Sequence, residues 1–305
     1  MPLSRRELLK AGIAIGASLV FPPASSLAQE STVIQRKIPS SGEPVPVIGI
    51  GTARHYQGTT EAERAQLREV LRQFKELGGK VIDTAPSYGN AETVIGDLGA
   101  ELGIRDSLFL ATKVGVEGRD AGVEQLERSR TRLRTPKIDL VAVHNLRDTQ
   151  TQLRTLREWK QAGRIRYVGI TTSFDSQHQE FEQTMKIETL DFIQVDYALD
   201  NRNADQRILP LAADRGMAVM INVPFGRGRL FKAVQGHQLP PWAGEFNCAS
   251  WAHFFLKYIV SHPAVTCAIP GTAQVEHLID NLGAARGRLP DQAMRRRMES
   301  FIDHV

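Results

Sequence analysis

The sequence contains the run Asp139-Leu140-Val141-Ala142-Val143-His144, a short apolar segment that ends in a histidine. Two earlier runs have the same form: Lys80–Asp83 ends in an aspartate, and Leu108–Lys113 ends in a lysine. Amphipathic segments separate the three runs, and this alternation is typical of a parallel sheet. Because parallel strands in a barrel place their carboxyl ends at one face, we expect the three ionisable side chains to meet there.

Working outward, five more apolar runs share this character. They are Val47–Ile50, Ile165–Ile170, Phe192–Val195, Ala218–Val223 and Val265–Pro270. The segments between the runs carry apolar residues at the spacing of one helix face, as in Leu67, Val70, Leu71, Phe74 and Leu77. Eight strand–helix units predict a (β/α)8 TIM barrel, an α/β fold, as one domain over residues 29–305. A piece from Ile34 to Pro39, followed by turn residues at 40–42, predicts a short N-terminal β-hairpin.

The alternative fold is a doubly wound sheet, which would require Gly-x-Gly-x-x-Gly after the first strand. At the end of the first run the sequence reads Gly49-Ile50-Gly51-Thr52-Ala53-Arg54, which has no third glycine. The pair Gly226 and Gly228 is not followed by a helix pattern. Neither glycine pattern therefore favours a Rossmann fold.

The composition excludes several classes of protein. The 305 residues carry 38 basic and 34 acidic side chains, and the densest basic run is Arg295-Arg296-Arg297, so we predict no nucleic-acid binding. The two cysteines, Cys248 and Cys267, cannot form a disulfide framework for a chain of this size. No apolar run reaches the ~18 residues that span a bilayer, so we expect no stable membrane anchor.

Residues 1–28 have the pattern of an export signal. Paired arginines lie in Ser4-Arg5-Arg6-Glu7-Leu8-Leu9-Lys10, an apolar stretch runs from Ala11 to Phe21, and Ser26-Leu27-Ala28 supplies small residues for cleavage. The paired arginines resemble a twin-arginine signal. The pattern predicts export by the twin-arginine translocation machinery, cleavage near Ala28 and a periplasmic or otherwise exported mature protein. The alternative is an ordinary amphipathic N-terminal helix.

The strand ends carry a coherent set of acid–base groups. Asp83, Lys113 and His144 end consecutive strands, and Tyr88 follows Asp83 by five residues. A free tyrosine is too weak an acid at neutral pH, but a nearby ammonium stabilises its phenolate. This set can protonate an oxyanion as it forms. Because it includes no strong nucleophile, and the other histidines show no metal spacing, we predict no metal and a separate hydride donor.

At this point the chain resembles the aldo-keto reductase superfamily, as a short-tailed bacterial member. The resemblance is carried, in order, by Ile48–Thr52, Val81–Ala85, Tyr88–Glu92, Ala111–Lys113, Asp139–His144, Gly163–Ile170, Gln194, Ala268–Gly271 and Asn281. It implies an NADP-dependent oxidoreductase, with NAD(H) as the alternative cofactor, that reduces aldehyde or ketone carbonyls of small molecules. It also implies a catalytic tetrad of Asp83, Tyr88, Lys113 and His144, with Tyr88 as general acid.

The resemblance also implies a set of cofactor-binding positions. They are Gly51, Thr52, Asp83, Thr171, Thr172, Gln194, Asn222, Pro224, Phe225, Gly226, Arg229, Ile269, Gly271, Thr272, His277 and Asn281. Thr172 stands where the family often has an asparagine, and Asn222 where it often has a tyrosine that stacks on the nicotinamide. Gly271 and His277 stand at the positions that grip the 2′-phosphate, so Arg227 and Arg229 are the alternative phosphate ligands.

The short C-terminal segment predicts one last helix and an open substrate pocket. The residues expected to line that pocket are His55, Tyr56, Asn145, Leu146 and either Trp242 or Phe246. Two other functions remain open at this stage. One is an exported nicotinamide-nucleotide-binding sensor or subunit with an inherited, slow tetrad, and the other is a lyase that forms a Schiff base at Lys113.

Overall fold

The structure, a computed structural model, describes residues 32–305. The predicted export signal at residues 1–28 lies outside this range. Among the described residues, no helix combines the length and the apolar character needed to cross a bilayer.

Eight parallel strands form the centre of the molecule. In chain order they are β3 (Ile50–Gly51), β4 (Val81–Asp83), β5 (Phe109–Val114), β6 (Ile138–His144), β7 (Ile165–Thr171), β8 (Phe192–Asp196), β9 (Ala218–Asn222) and β10 (Cys267–Ala268). Each strand pairs with the next along the chain, and bridges at Ile48–Ala268 and Gly51–Gly271 join the last strand to the first. The (β/α)8 barrel is therefore confirmed, and the doubly wound alternative is wrong.

Ten helices accompany the strands in the described chain. They are α1 (Glu61–Glu76), α2 (Ala91–Glu101), α3 (Arg119–Arg132), α4 (Thr149–Gln161), α5 (His178–Ile187), α6 (Asn203–Asp214), α7 (Arg229–Ala233), α8 (Trp251–Val260), α9 (Val275–Gly283) and α10 (Gln292–Ile302). Helix α1 shows why such segments are helical. Thr60 and Glu63 form a capping box at its start, and Leu67, Val70 and Phe74 are buried on one face.

The predicted hairpin closes the lower, N-terminal end of the barrel. Its strands are β1 (Gln35–Lys37) and β2 (Pro44–Pro46), which pair antiparallel. The Arg36 guanidinium donates hydrogen bonds to four backbone carbonyls within residues 260–265, at the end of α8 and just after it. The backbone N–H of Ile34 donates to Ala285 O at 2.8 Å. The hairpin is thus attached to the C-terminal part of the chain.

The first and last barrel strands are shorter than their sequence runs predict. The chain is extended on both sides of the seam, since Gly49 N donates to Ala268 O at 2.9 Å and Ala268 N donates to Val47 O at 2.8 Å. Regular pairing covers two residues in each strand. Pro46 and Pro270 flank the two strands and have no N–H to contribute to a ladder.

Side chains inside the barrel change character along each strand. Near the N-terminal ends the interior is apolar, with Ile38 and Val45 of the hairpin segment packed against Phe109, Tyr167 and Phe192. Successive residues of a strand alternate between its two faces, so an even number of residues leads to the same face. At the C-terminal ends of the same strands the side chains that face the interior are polar.

Candidate active site

The centre of the site is a buried ion pair between strands β4 and β5. The Lys113 Nζ lies 2.9 and 2.7 Å from the two carboxylate oxygens of Asp83 and donates to Thr84 O at 2.8 Å. Lys113 is 1% exposed and Asp83 is 5% exposed. Burial by itself would lower the pKa of Lys113, but the charge of Asp83, together with the interaction with the Tyr88 hydroxyl, outweighs burial and raises that pKa. The lysine is therefore an ammonium at neutral pH.

Tyr88 and His144 lie against this pair. The Lys113 Nζ is 5.1 Å from the centroid of the Tyr88 ring. The Tyr88 and His144 rings meet edge-on, with centroids 6.1 Å apart. Burial, and secondarily the charge of Lys113, lowers the pKa of His144 to about 4, so its imidazole is neutral at pH 7. The structure thus brings together all four residues that the sequence analysis assigned to a tetrad.

Two residues from the far side of the barrel join the pair. Gln194 on β8 donates from Nε2 to Asp83 Oδ1 at 2.9 Å, and its Oε1 accepts a hydrogen bond of 2.7 Å from Thr171 Oγ1. The sequence analysis expected both side chains to be available for a nicotinamide carboxamide. In the structure Thr171 donates to Gln194, and Gln194 donates to Asp83. Chain spacing gives no signal for this contact, because 111 residues separate Gln194 from Asp83.

A cavity of about 370 Å³ opens above these groups at the C-terminal face of the barrel. The predicted cofactor residues that line it are Gly51, Thr52, Asp83, Thr171, Thr172, Gln194, Asn222, Pro224, Phe225, Ile269 and Gly271. Gly226 and Arg229 line a neighbouring cavity instead, and Thr272, His277 and Asn281 lie beyond both. Arg54, Ser173 and Arg227 also line the first cavity. Arg227 was predicted as an alternative phosphate ligand, whereas Arg54 and Ser173 were not predicted. Both follow closely after β3 and β7, so the rule that barrel sites use the loops after strands would have found them.

The loop after β9 has an unusual backbone. Val223, Gly226, Arg227 and Gly228 all have positive φ, at 50°, 57°, 56° and 93°. A β-branched residue such as Val223 rarely adopts this region, and strain of this kind collects at functional sites. Gly226 is required here, because a Cβ would lie 2.7 Å from Asp200 Oδ2.

The two arginines of this loop have different surroundings. The Arg229 Nε donates to Asp200 Oδ2 at 2.9 Å, which pairs its charge outside the first cavity. The exposed Arg227 donates to the Ser173 hydroxyl at 3.2 Å. Arg227 therefore offers its charge to a ligand in the first cavity.

The predicted substrate-pocket residues divide into two groups. His55 and Asn145 line the cavity, while Tyr56 and Leu146 are buried in the core. Trp242 and Phe246 do not line the cavity; both pack against Phe254 in an aromatic cluster. The prediction for those two residues is wrong, because the segment that carries them, Pro241–Phe246, folds as a 3-10 helix toward the outer helices.

The cavity wall has features that fit a nicotinamide dinucleotide. Asn222 donates from Nδ2 to Thr172 O at 2.9 Å, which fixes its amide orientation and leaves its buried Oδ1 without a donor in the described chain. A buried acceptor without a donor is costly, and a ligand amide N–H would satisfy it. The Arg54 guanidinium, with Arg227, adds positive charge at the rim for phosphate groups.

One cluster of potential metal ligands lies outside this cavity. A ligand atom from each of Asp175, His178 and Asp196 lies within 4.8 Å of the others. The sequence shows no metal spacing at His178, because His178 begins α5 whereas Asp196 ends β8. Asn201 donates to both carboxylates, at 3.1 and 2.7 Å.

The sequence model of the aldo/keto reductase family matches residues 47–301, which is nearly the whole described barrel. The chain belongs to the aldo/keto reductase family. This membership makes it an oxidoreductase and agrees with the resemblance noted from the sequence motifs.

Individual family members agree with this placement. The chain is 29% identical to methylglyoxal reductase YeaE of Escherichia coli (strain K12), over 81% of this chain and 88% of that protein. Two solved aldo-keto reductases of Klebsiella pneumoniae are similar in fold. One, in complex with NADP and acetate, has a TM-score of 0.73 at 27% identity and covers 86% of this chain and 93% of that chain. The other, in complex with NADPH, has a TM-score of 0.74 at 26% identity and covers 89% and 95%.

Proposed function

We propose that this protein reduces the carbonyl group of small aldehydes or ketones to an alcohol, with NADPH as hydride source and Tyr88 as general acid. The observation that carries the proposal is the buried Lys113–Asp83 ion pair directly beside Tyr88 and the neutral His144. The cofactors held by the Klebsiella structures and the name of the Escherichia coli relative support it.

The cofactor would occupy the cavity above the ion pair. Thr171, Gln194 and Asn222 would contact its carboxamide, and Arg54 and Arg227 would contact its phosphates. When bound, the reduced nicotinamide supplies the hydride that the residues of the chain cannot supply.

The side chains of the protein supply the proton and stabilise charge. The neutral His144 donates a hydrogen bond to the substrate oxygen and polarises the carbonyl. Tyr88 transfers its hydroxyl proton to that oxygen as negative charge develops on it. The Lys113 ammonium stabilises the phenolate left on Tyr88, and Asp83 keeps Lys113 charged. Solvent then returns a proton to Tyr88, so one carbonyl, one hydride and one proton give one alcohol.

The direct test is consumption of reduced nicotinamide by the purified mature protein. A panel of aldehydes, ketones and quinones is assayed with NADPH and NADH in parallel, and Tyr88→Phe is the control. Turnover that depends on Tyr88 supports the reductase. Tight binding of NADPH without multiple turnover would instead support the sensor function, and borohydride trapping of a carbonyl compound on Lys113 would support the lyase.

The same assay addresses cofactor preference. Neither Gly271 nor the imidazole of His277 can bind a phosphate in the bidentate way of a guanidinium, so we propose that discrimination between NADPH and NADH depends on Arg54 and Arg227. Arg227→Gln is expected to weaken NADPH binding more than NADH binding if Arg227 contacts the 2′-phosphate, and both equally if it contacts the pyrophosphate. An unchanged affinity for both would exclude Arg227 as a phosphate ligand.

We also propose that the protein is exported through the twin-arginine route. The proposal rests on Arg5 and Arg6 and on the apolar stretch that follows them. The double substitution Arg5→Lys and Arg6→Lys keeps the charge of the segment but removes the arginine pair. It is expected to retain the uncleaved chain in the cytoplasm, measured by fractionation and by the N-terminal sequence of the exported form. Unchanged export of the double variant would contradict the proposal.

A further inference from the structure

We infer that Gln194 is a positioning residue for the Asp83 carboxylate, in addition to any contact it makes with a cofactor. This inference rests on the proposed reductase function for its kinetic readouts, while its structural readout is independent of that function. The carrying observation is the 2.9 Å hydrogen bond from Gln194 Nε2 to Asp83 Oδ1 across the barrel.

The Asp83 carboxylate has few neighbours that could fix its orientation. Its side-chain oxygens accept hydrogen bonds from Lys113, through both oxygens, and from Gln194, through Oδ1. Lys113 lies on β5, next to the β4 strand that carries Asp83, whereas Gln194 approaches from β8 on the opposite side of the interior. The carboxylate is therefore held from two directions, and Lys113 alone would hold it from one.

The Gln194 side chain is itself held firmly. Its Oε1 accepts the hydroxyl proton of Thr171 at 2.7 Å, and its Nε2 also contacts Met220 Sδ at 3.2 Å. Gln194 is 4% exposed and Thr171 is 2% exposed, so little of either side chain is accessible to solvent. A carboxamide group has two N–H donors and two acceptor lone pairs. Both donors of Gln194 are in use, and one acceptor lone pair remains for a ligand.

The chemical consequence passes through Lys113. Hydrogen bonds to charged groups contribute more than neutral ones, and a displaced catalytic group costs rate steeply. If Asp83 turns away, burial dominates and the pKa of Lys113 falls. The groups that face the pair are Tyr88 and His144 from above, with Cys267 of β10 facing Asp83. None of these replaces the hydrogen bond from Gln194.

The test uses Gln194→Met, which keeps the length of the side chain and removes its amide. The matched control is Gln152→Met, because Gln152 is a fully buried glutamine whose amide donates to Val116 O and Gly118 O, away from the site. Each variant is assayed with NADPH and with its 3-acetylpyridine analogue, in which a methyl group replaces the carboxamide –NH2. Cofactor affinity is measured separately by calorimetry.

We expect Gln194→Met to lower kcat by about tenfold to hundredfold with both cofactors. The alkaline limb of its pH–rate profile should move to lower pH by about one unit, because Lys113 loses its proton more easily. Gln152→Met should show neither effect. If the loss in Gln194→Met disappears with the analogue, Gln194 acts through the cofactor amide alone and the inference is wrong.

A crystal structure of cofactor-free Gln194→Met decides the point without turnover. The expected result is a rotated Asp83 carboxylate that has lost one of its two contacts with Lys113. An Asp83 that keeps both contacts overturns the inference, whether or not the protein is a reductase. If the protein shows no turnover that Tyr88→Phe abolishes, the proposed function is wrong. The crystal structure of Gln194→Met still tests the positioning of Asp83 in that case.

Discussion

The lower and upper halves of the barrel interior are built from the same strands and hold opposite kinds of side chain. On β5, Phe109 lies in the lower half and Lys113, four residues on, lies in the upper half. On β7 the corresponding pair is Tyr167 and Thr171. The centroids of the aromatic rings in the lower half, those of Phe109, Tyr167 and Phe192, lie within 5.9 Å of one another. The side chains of the upper half form a hydrogen-bonded network of charged and amide groups.

This difference separates stability from chemistry within one core. Apolar rings that fill space contribute to the free energy of unfolding through burial and close packing. Buried charges contribute less net stability, because their desolvation offsets their attraction. The upper half therefore carries reactive groups at some cost in stability, and the lower half together with the outer helices supplies that stability. Substitutions at the two ends should give opposite results.

The largest expected effect is that of Tyr88→Phe at the upper end. Removal of one hydroxyl should lower turnover by about 10²–10⁴-fold, because a positioned general acid contributes on that scale. The affinity for NADPH, measured by calorimetry, should stay within about twofold of that of the unsubstituted protein. The urea midpoint of unfolding should be essentially the same in the two proteins. A near-full rate in Tyr88→Phe would show that another group supplies the proton.

Next in size is Phe109→Ala at the lower end. Truncation of this buried ring, packed against Tyr167 and Phe192, should lower the free energy of unfolding by about 3–5 kcal/mol. Urea unfolding followed by circular dichroism measures the change, and Phe109→Leu serves as a milder companion if the first variant does not accumulate. A loss below about 1 kcal/mol would mean that the lower half is not the stabilising end.

The third prediction concerns the pH dependence of stability at the upper end. The pKa of His144 is lowered from 6.5 to about 4 in the folded chain, first by burial and then by Lys113. Between these values the unfolded chain binds a proton that the folded chain does not, so stability falls as the pH falls. From pH 7.5 to 4.5 the unmodified protein should lose about 2–3 kcal/mol more than His144→Gln. Parallel losses in the two proteins would contradict the lowered pKa.

The smallest effect is expected from Tyr167→Phe, the same chemical change as Tyr88→Phe but at the lower end. The Tyr167 hydroxyl contacts Ser41 Oγ at 2.7 Å and Glu43 Oε2 at 3.0 Å in the hairpin segment. Its removal should cost about 1 kcal/mol of unfolding free energy and leave kcat unchanged. A large fall in kcat would show that the hairpin end and the reactive end are coupled.

Much of this architecture was predictable from the sequence because it depends on local patterns. Each barrel strand is a short apolar run, and each strand end is marked by the residue that follows the run. Asp83, Lys113 and His144 could therefore be placed at one face before any coordinates were known. Tyr88 could be added because the turn that carries it is short.

The remaining features depend on contacts that the order of residues along the chain does not encode. The Gln194–Asp83 hydrogen bond joins strands on opposite sides of the interior. Arg229 pairs with Asp200, a contact between residues 29 apart that the spacing of the motifs does not indicate. Trp242 lies outside the cavity because its ring packs against Phe254 in the aromatic cluster of the outer helices. In each case a side chain has several possible partners, and the folded chain determines which one it contacts.

The attachment of the hairpin to the end of the chain has a consequence for the order of synthesis. Arg36 and Ile34 leave the ribosome early, while their partners at residues 260–265 and 285 are among the last to be made. The seam between β3 and β10 likewise joins early and late segments. A nascent chain can form its central strands and helices during translation, but it cannot close the barrel until translation is nearly complete. Until then the hydrogen-bonding edges of β3 and β9 remain without their partner strand.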